Sequence, residues 1–221
     1  MYRPAALWAM ISDIARMTAA RGRMDDVRTM KPDDAERAWQ RMMDLGMAAR
    51  GFAAPARVEA MLRQWQPAAH VAEDAHARAW DIVIGVPALL TGVTAIDRLA
   101  RSMTAAPAAD AASIALLRAA RWCVGQVSGG RLRDLGNDET LTLLPHSAAR
   151  TLEGHIVTGR FVRVDATAFL SAGPITVLDE AAMAAARPFL RPGKPGVANA
   201  SRCGEAVIGV ALRAMPAPNR P

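Results

Sequence analysis

Aromatic side chains are scarce: they make up 5% of the 221 residues, although 52% of the chain is apolar. Alanine and methionine must therefore fill much of any core, and such fillers pack less specifically than Leu, Ile or Phe. Lysine is nearly missing, with Lys31 and Lys194 alone among the many arginines. Arginine bias with abundant alanine is what a GC-rich bacterial genome writes, and it needs no functional cause. Two cysteines, Cys123 and Cys203, are too few for a disulfide scaffold or a four-thiolate zinc site. A reduced cytosolic pair is the expectation.

Long apolar runs are missing as well. Residues 82–96 carry no charge, but they fall short of the roughly 20 residues that span a bilayer, and Gly85, Pro87 and Gly92 interrupt them. They read as a buried core helix, kinked or restarted near Pro87, and no membrane association is expected. Met1-Tyr2-Arg3-Pro4 carries one positive charge, and Asp13 and Arg16 break the apolar run behind it, so no signal peptide is read. The expected location is cytoplasmic.

The net charge is +6 and the pI about 10.5, which invites a polyanionic partner. The distribution argues otherwise. Residues 123–178 hold five arginines against five carboxylates, and the slight basic excess sits near the C-terminus, where residues 179–221 hold six basic residues against three acids. No segment is a concentrated basic block.

Catalytic motifs are equally sparse. Gly125-Gln126-Val127-Ser128-Gly129-Gly130 is glycine-rich, but no Gly-Lys-Ser/Thr follows it. Gly193-Lys194 is followed by Pro195, which removes both the hydroxyl and a backbone donor that a phosphate loop needs. No Gly-x-Gly-x-x-Gly follows a strand, so a dinucleotide fold lacks support. Glu73-Asp74-Ala75-His76 is a single Glu-x-x-His, whereas carboxylate-bridged bundles use two of them. His70 lies about 240° from His76 around a helix, so the three polar side chains read as a solvated face. Cys123 and Cys203 with His146 or His155 show no zinc spacing. His146-Ser147 lacks a nucleophile elbow, and Cys123 beside Trp122 reads as a small buried hydrophobe. No cofactor is expected.

Hydrophobic periodicity places helices over residues 5–22, 32–49, 55–65 and 70–80. In the first, Leu7, Met10, Ile14, Met17 and Met24 form a seam. In the second, Pro32 and the acids behind it suit a helix start, and Ala35, Trp39, Met42, Met43 and 45–47 form the buried face. Thr104–Ala109 reads as a linker, and Asp110 as the cap of a helix over 111–124 with Ile114, Leu117 and Trp122 inward.

Strand signals then dominate to Leu178. Residues 131–135 and 139–144 alternate around the turn Gly136-Asn137-Asp138 and read as a hairpin. Residues 155–164 form the best single strand, with Gly159 expected as a bulge. Strands at 168–170 and 175–178 follow. Four or five short antiparallel strands of this kind can curl into a small barrel or pack as a sheet on helices. Asp179 caps a helix over 180–187, residues 205–215 are left open between strand and helix, and the tail from Met215 reads as disordered.

The fold class is therefore α+β: a helical N-terminal region over about 5–123, a small antiparallel β-rich module and a short C-terminal helix. The corresponding units are residues 1–109, 110–190 and 191–221. The candidate contact residues are Arg131, Arg133, Arg160 and Arg163 on strands, with Phe161 among them, because small barrels bind nucleic acid where basic and aromatic residues interleave. The functional expectation is a non-enzymatic protein that binds another macromolecule, most plausibly a protein partner or a second copy of itself. It rests on a methionine-rich helical face and on sheet edges left open. A nucleic-acid-associated protein using dispersed arginines is the alternative, and an unrecognised hydrolase or metal enzyme the second alternative.

Overall fold

The structure, a computed structural model, describes residues 32–87, 92–103, 107–144, 146–190 and 197–215. The helix expected over 5–22 and the tail beyond Met215 lie outside them.

Five helices come first. α1 (Pro32–Ala49) carries acids in its first turn and buries Ala35, Met42, Leu45 and Ala49 along one stripe. Met47, expected on that stripe, is 61% exposed, since it falls outside the helical repeat of the other four. α2 (Pro55–Trp65) starts on its proline and buries Val58, Met61 and Trp65 at spacings of three and four. α3 (Ala72–Gly85) buries Ile82, Val83 and Ile84 and ends at its glycine; the helix expected on to residue 96 does not continue, since 86–87 and 92–94 are not helical and 88–91 lie outside the described residues. α4 (Ala95–Ser102) opens with a reciprocal cap, Thr94 and Asp97 each accepting the other's backbone N–H. α5 is Ala108–Ala119.

The expected helix over 111–124 is corrected at both ends. Asp110 lies inside α5 and does not cap it. Its two carboxylate oxygens accept from Nε and a terminal nitrogen of Arg41, each at 2.6 Å. The helix stops at Ala119 because Ala120 turns extended, and Trp122 belongs to a strand. That strand is β1 (Arg121–Ser128), in which Cys123, Gly125 and Val127 alternate inward.

β2 (Arg131–Asp134), β3 (Thr140–Leu144), β4 (Ile156–Arg163), β5 (Ala168–Ser171) and β6 (Thr176–Val177) complete one mixed sheet. β1 pairs with β2, β2 with β3, β3 with β5, β5 with β4, and β4 back with β1. Five strands thus close into a barrel. The β3–β5 pair is parallel, Leu143 lying opposite Phe169, so the module is not wholly antiparallel. The short helix α6 (His146–Thr151) and β4 together form the long connection from β3 to β5 that a parallel pair requires. β6 adds two residues along β4.

Closure dictates the barrel's filling. Cys123, Val127, Leu132, Leu141, Leu143, Val157, Phe161 and Phe169 meet inside, and Ala149 and Leu152 at and just beyond the end of α6 join them. Gly125 is required where β1 meets β2: a Cβ there would lie 2.6 Å from the Leu132 side chain and 2.8 Å from the Arg133 carbonyl oxygen. Gly159 is not a bulge. The β1–β4 register runs unbroken past it, and its bare Cα admits the Pro174 carbonyl, 3.2 Å from where a Cβ would stand.

Helices cover one side of the barrel. Leu144, Val162, Ala168, Leu170 and Ala172 point outward into a core shared with α1, α3, α4 and α5. Val124 and Leu178 pack on α7 (Glu180–Ala186), capped by Asp179 as expected, and on α8 (Val197–Ala214). The stretch 205–215 is thereby helical, and Val207, Ile208, Ala211 and Leu212 bury its apolar side. α8 also closes on α2: the Trp65 indole N–H donates to the Glu205 carbonyl at 2.9 Å, and a Cβ on Gly209 would lie 2.5 Å from Trp65. Among the described residues no helix is long and apolar enough to cross a membrane.

A polar joint ties α3 to the barrel. Arg160 of β4 donates Nε to Asp81 at 3.0 Å and a terminal nitrogen to the same oxygen, and it reaches the Ala172 carbonyl at 3.2 Å. One turn earlier, Arg78 donates to the Thr176 hydroxyl at 2.6 Å and to the Ile175 carbonyl at 3.3 Å. The other Asp81 oxygen, Oδ2, is buried with no hydrogen-bond partner among the described residues. Gly173 makes this approach possible, since a Cβ there would fall 2.5 Å from the Asp81 carboxylate.

Candidate functional site

Alternation sorts the strand residues of β1, β2 and β3 into two sets. The odd positions of β1 fill the barrel, and the even ones point away from it. In the β1–β2–β3 register, Ser128, Arg131 and Thr142 form one outward row, and Gln126, Arg133 and Thr140 the next. Gln126, Ser128, Arg131 and Arg133 are exposed, and Thr140 and Thr142 half-buried. All six side chains can donate a hydrogen bond, and neither row contains a carboxylate.

The two arginines differ. Arg133 is paired with Asp138 from the β2–β3 turn at 2.7 Å, both groups being more than half exposed. Such pairs contribute little and exchange readily. Arg131 donates to the Thr140 carbonyl at 3.2 Å and has no carboxylate within ion-pair distance among the described residues. The turn beside it, Gly129-Gly130, has φ of +57° and +71°, the left-handed pair that a two-residue hairpin turn needs. Both its amides donate to Glu153, at 2.7 and 3.2 Å.

At the far end of these strands the charges close on one another. Arg121 lies 3.2 Å from Glu139 and 3.9 Å from Asp134, and Arg163 lies 2.7 Å from Glu139. This network stands across the barrel mouth opposite α6.

The five residues singled out from sequence are therefore split. Arg131 and Arg133 share the open face, and Arg163 sits at the mouth, held by Glu139. Arg160 and Phe161 are not on a solvated surface at all: they are 2% and 1% exposed, one against Asp81 and the other inside the barrel. Both faces of β4 are buried, because helices cover its outside and closure covers its inside, and a strand read alone does not report this. The polar neighbours Gln126, Ser128, Thr140 and Thr142 were missed for a related reason. Gln126 and Ser128 follow from the two-residue period only once β1 is known to be a strand, whereas Thr140 and Thr142 could be read directly from the alternation over 139–144.

Other candidates take structural roles. Cys123 faces the barrel interior. His76 stacks on Trp80, with ring centroids 6.4 Å apart, and Arg50 lies 5.6 Å from the same indole ring centroid. Among the described residues no three His, Cys, Asp or Glu side chains converge as metal ligands. Two carboxylates titrate below their ordinary range. Asp110 is pulled down by Arg41's hydrogen bonds against the opposing effect of burial, and Arg41's charge adds to the pull. For Asp97, burial pushes upward, but the hydrogen bonds from Thr94 and the charge and hydrogen bond of Arg118 together outweigh it.

Compared with protein-family models, curated proteins and solved structures, the chain matches none.

Proposed function

We propose that this protein binds single-stranded nucleic acid through the backbone, without sequence preference, on the outer face of β1, β2 and β3. The observation that carries the proposal is the composition of that face: six hydrogen-bonding side chains, two of them arginines, with no carboxylate in either row and four of the six exposed among the described residues. Architecture lends support by analogy. Five-stranded Greek-key barrels of the oligonucleotide/oligosaccharide-binding kind use the face of strands 2 and 3 and the adjoining loops for such ligands. A fold shared at this level supports a reading and does not establish it.

Chemistry limits what the face would do. The two rows carry no aromatic side chain, so the roughly 1–3 kcal/mol that each stacked base contributes is missing there. Two arginines touching two phosphates would give a slope of log affinity against log salt of about −1.4 for a single strand. Binding on this reading is weak, sequence-tolerant and lost at moderate salt. The cytoplasm, reducing and rich in nucleic acid, is where the reading places the protein.

Fluorescence anisotropy with a labelled oligothymidylate at low and moderate salt tests it. Binding at low salt that weakens with salt and with Arg131→Ala supports the reading; no binding at low salt overturns it. A protein partner is the competing outcome. Met42 and Met61 are buried and β2 and β3 are paired on both edges, whereas Met47 stands 61% exposed on α1.

A further inference from the structure

We infer that the β1–β2 turn is a phosphate site whose place is occupied by the chain's own Glu153. The inference deepens the nucleic-acid reading and rests on it. Consecutive backbone N–H groups converging on one anion form the concavity in which proteins hold phosphate oxygens. Gly129 and Gly130 do this here, one amide to each oxygen of the Glu153 carboxylate, at 2.7 and 3.2 Å. The carboxylate presents two anionic oxygens to these amides much as a phosphodiester would.

Position argues for more than turn stabilisation. Glu153 comes from the segment after α6 and is fixed by its neighbours: the Gly154 amide donates to the Val127 carbonyl at 3.0 Å, and the Val127 amide to the His155 carbonyl at 2.9 Å. It is exposed, so water or another anion has access to the same amides. Arg131, the one face arginine without a carboxylate partner among the described residues, is the next residue after the turn. A phosphate taking the place of the Glu153 carboxylate would thus stand at the head of the Ser128–Arg131–Thr142 row, and a backbone could run on toward Gln126, Arg133 and Thr140. In this arrangement Glu153 is an internal competitor. A competitor tethered in place lowers apparent affinity by the fraction of time it occupies the site. No bond is made or broken in the exchange.

The test compares Glu153→Ala with Glu59→Ala, which removes an equal charge from an exposed pair with Arg63 on α2. The probe is an oligothymidylate of about 12 nucleotides, within the site sizes that small barrels cover. The expected result is that Glu153→Ala binds several-fold tighter than both the wild type and Glu59→Ala. Its salt slope should stay close to the wild type's, because neutral amides neutralise no phosphate and release no counterion. The Gly129 and Gly130 amide resonances should shift on titration in Glu153→Ala, and a thermal melt identifies a variant that has lost the fold. Glu153→Gln, which keeps the side chain's length without its charge, should fall between. Equal affinity of Glu153→Ala and Glu59→Ala, with wild-type binding that still needs Arg131, overturns the phosphate site alone. If no variant binds at low salt, the underlying reading falls with it.

Discussion

Arg160 and Arg133 are both strand arginines of the same small barrel, and they have opposite fates. Arg160 points outward from β4 into the helical layer, where Asp81 meets it at 3% and 5% side-chain exposure. Arg133 points outward from β2 into solvent, where Asp138 meets it with most of both groups wet. The residue type is the same and the strand direction is the same. What differs is whether helices cover that side of the barrel. On the covered side a charge becomes part of the architecture; on the open side it remains available to a ligand.

The widest separation between the two sides should come from Arg160→Ala. It leaves Asp81 buried without its cation, and breaking a buried pair by removing one partner costs about 3–5 kcal/mol. Urea denaturation reads this as a lowered midpoint. Replacing both partners, Arg160→Met with Asp81→Leu, should recover most of the loss, because the buried pair gains little over apolar groups of similar volume. Failure of the double variant to recover would mean that the pair organises the joint beyond its charges. Gly173→Ala comes next. Its new Cβ would press on the Asp81 carboxylate, and an overpacked contact of this kind costs about 1–3 kcal/mol, seen in the same denaturation curve.

The open side should show the reverse pattern. Arg131→Ala should leave stability within about 0.5 kcal/mol of wild type, as exposed substitutions do. It should weaken oligonucleotide binding and reduce the salt slope by about 0.7. Arg133→Ala should weaken binding less, since Asp138 already occupies part of its guanidinium. If Arg131→Ala proved as destabilising as Arg160→Ala, the distinction between the two sides would fail.

The smallest expected effect lies away from the barrel. Asp110 titrates below its ordinary value in the folded protein, so its contribution to stability is present above the unfolded value of about 3.9. That contribution is lost as pH falls through the lower folded value. Arg41→Ala removes the cause, so the acid limb of a melting-temperature profile should be shallower in that variant than in the wild type.

Much of the chain's local structure is legible without coordinates. Pro55–Trp65 follows from a proline start and apolar residues at three and four, and the β2–β3 hairpin from alternation around Gly136-Asn137. β4 follows from a β-branched run, and α7 from Asp179 ahead of an alanine stretch. These are short-range effects, set by propensity, capping and turn geometry within a few residues. The misreadings mark where short-range signals ran out. Residues 121–124 extended the apolar spacing of α5 and so looked helical, until β4 supplied them with a strand partner. Of the proposed face, sequence offered Arg131 and Arg133 and nothing around them, because a face is assembled from three strands.

The sequence alone determined where most helices and strands begin, where the turns fall, and that charge is dispersed with no basic block. Only the tertiary structure decided that five strands close on themselves through a parallel β3–β5 pair. It alone decided that helices from both ends of the chain cover β4 and β5, and that one polar face is left open beside a glycine turn held by Glu153. The physical reason is the range of the interactions. Propensities and caps act over one turn, whereas barrel closure and burial depend on partners far apart in the chain, such as Asp81 and Arg160, and no local pattern records which of them will meet.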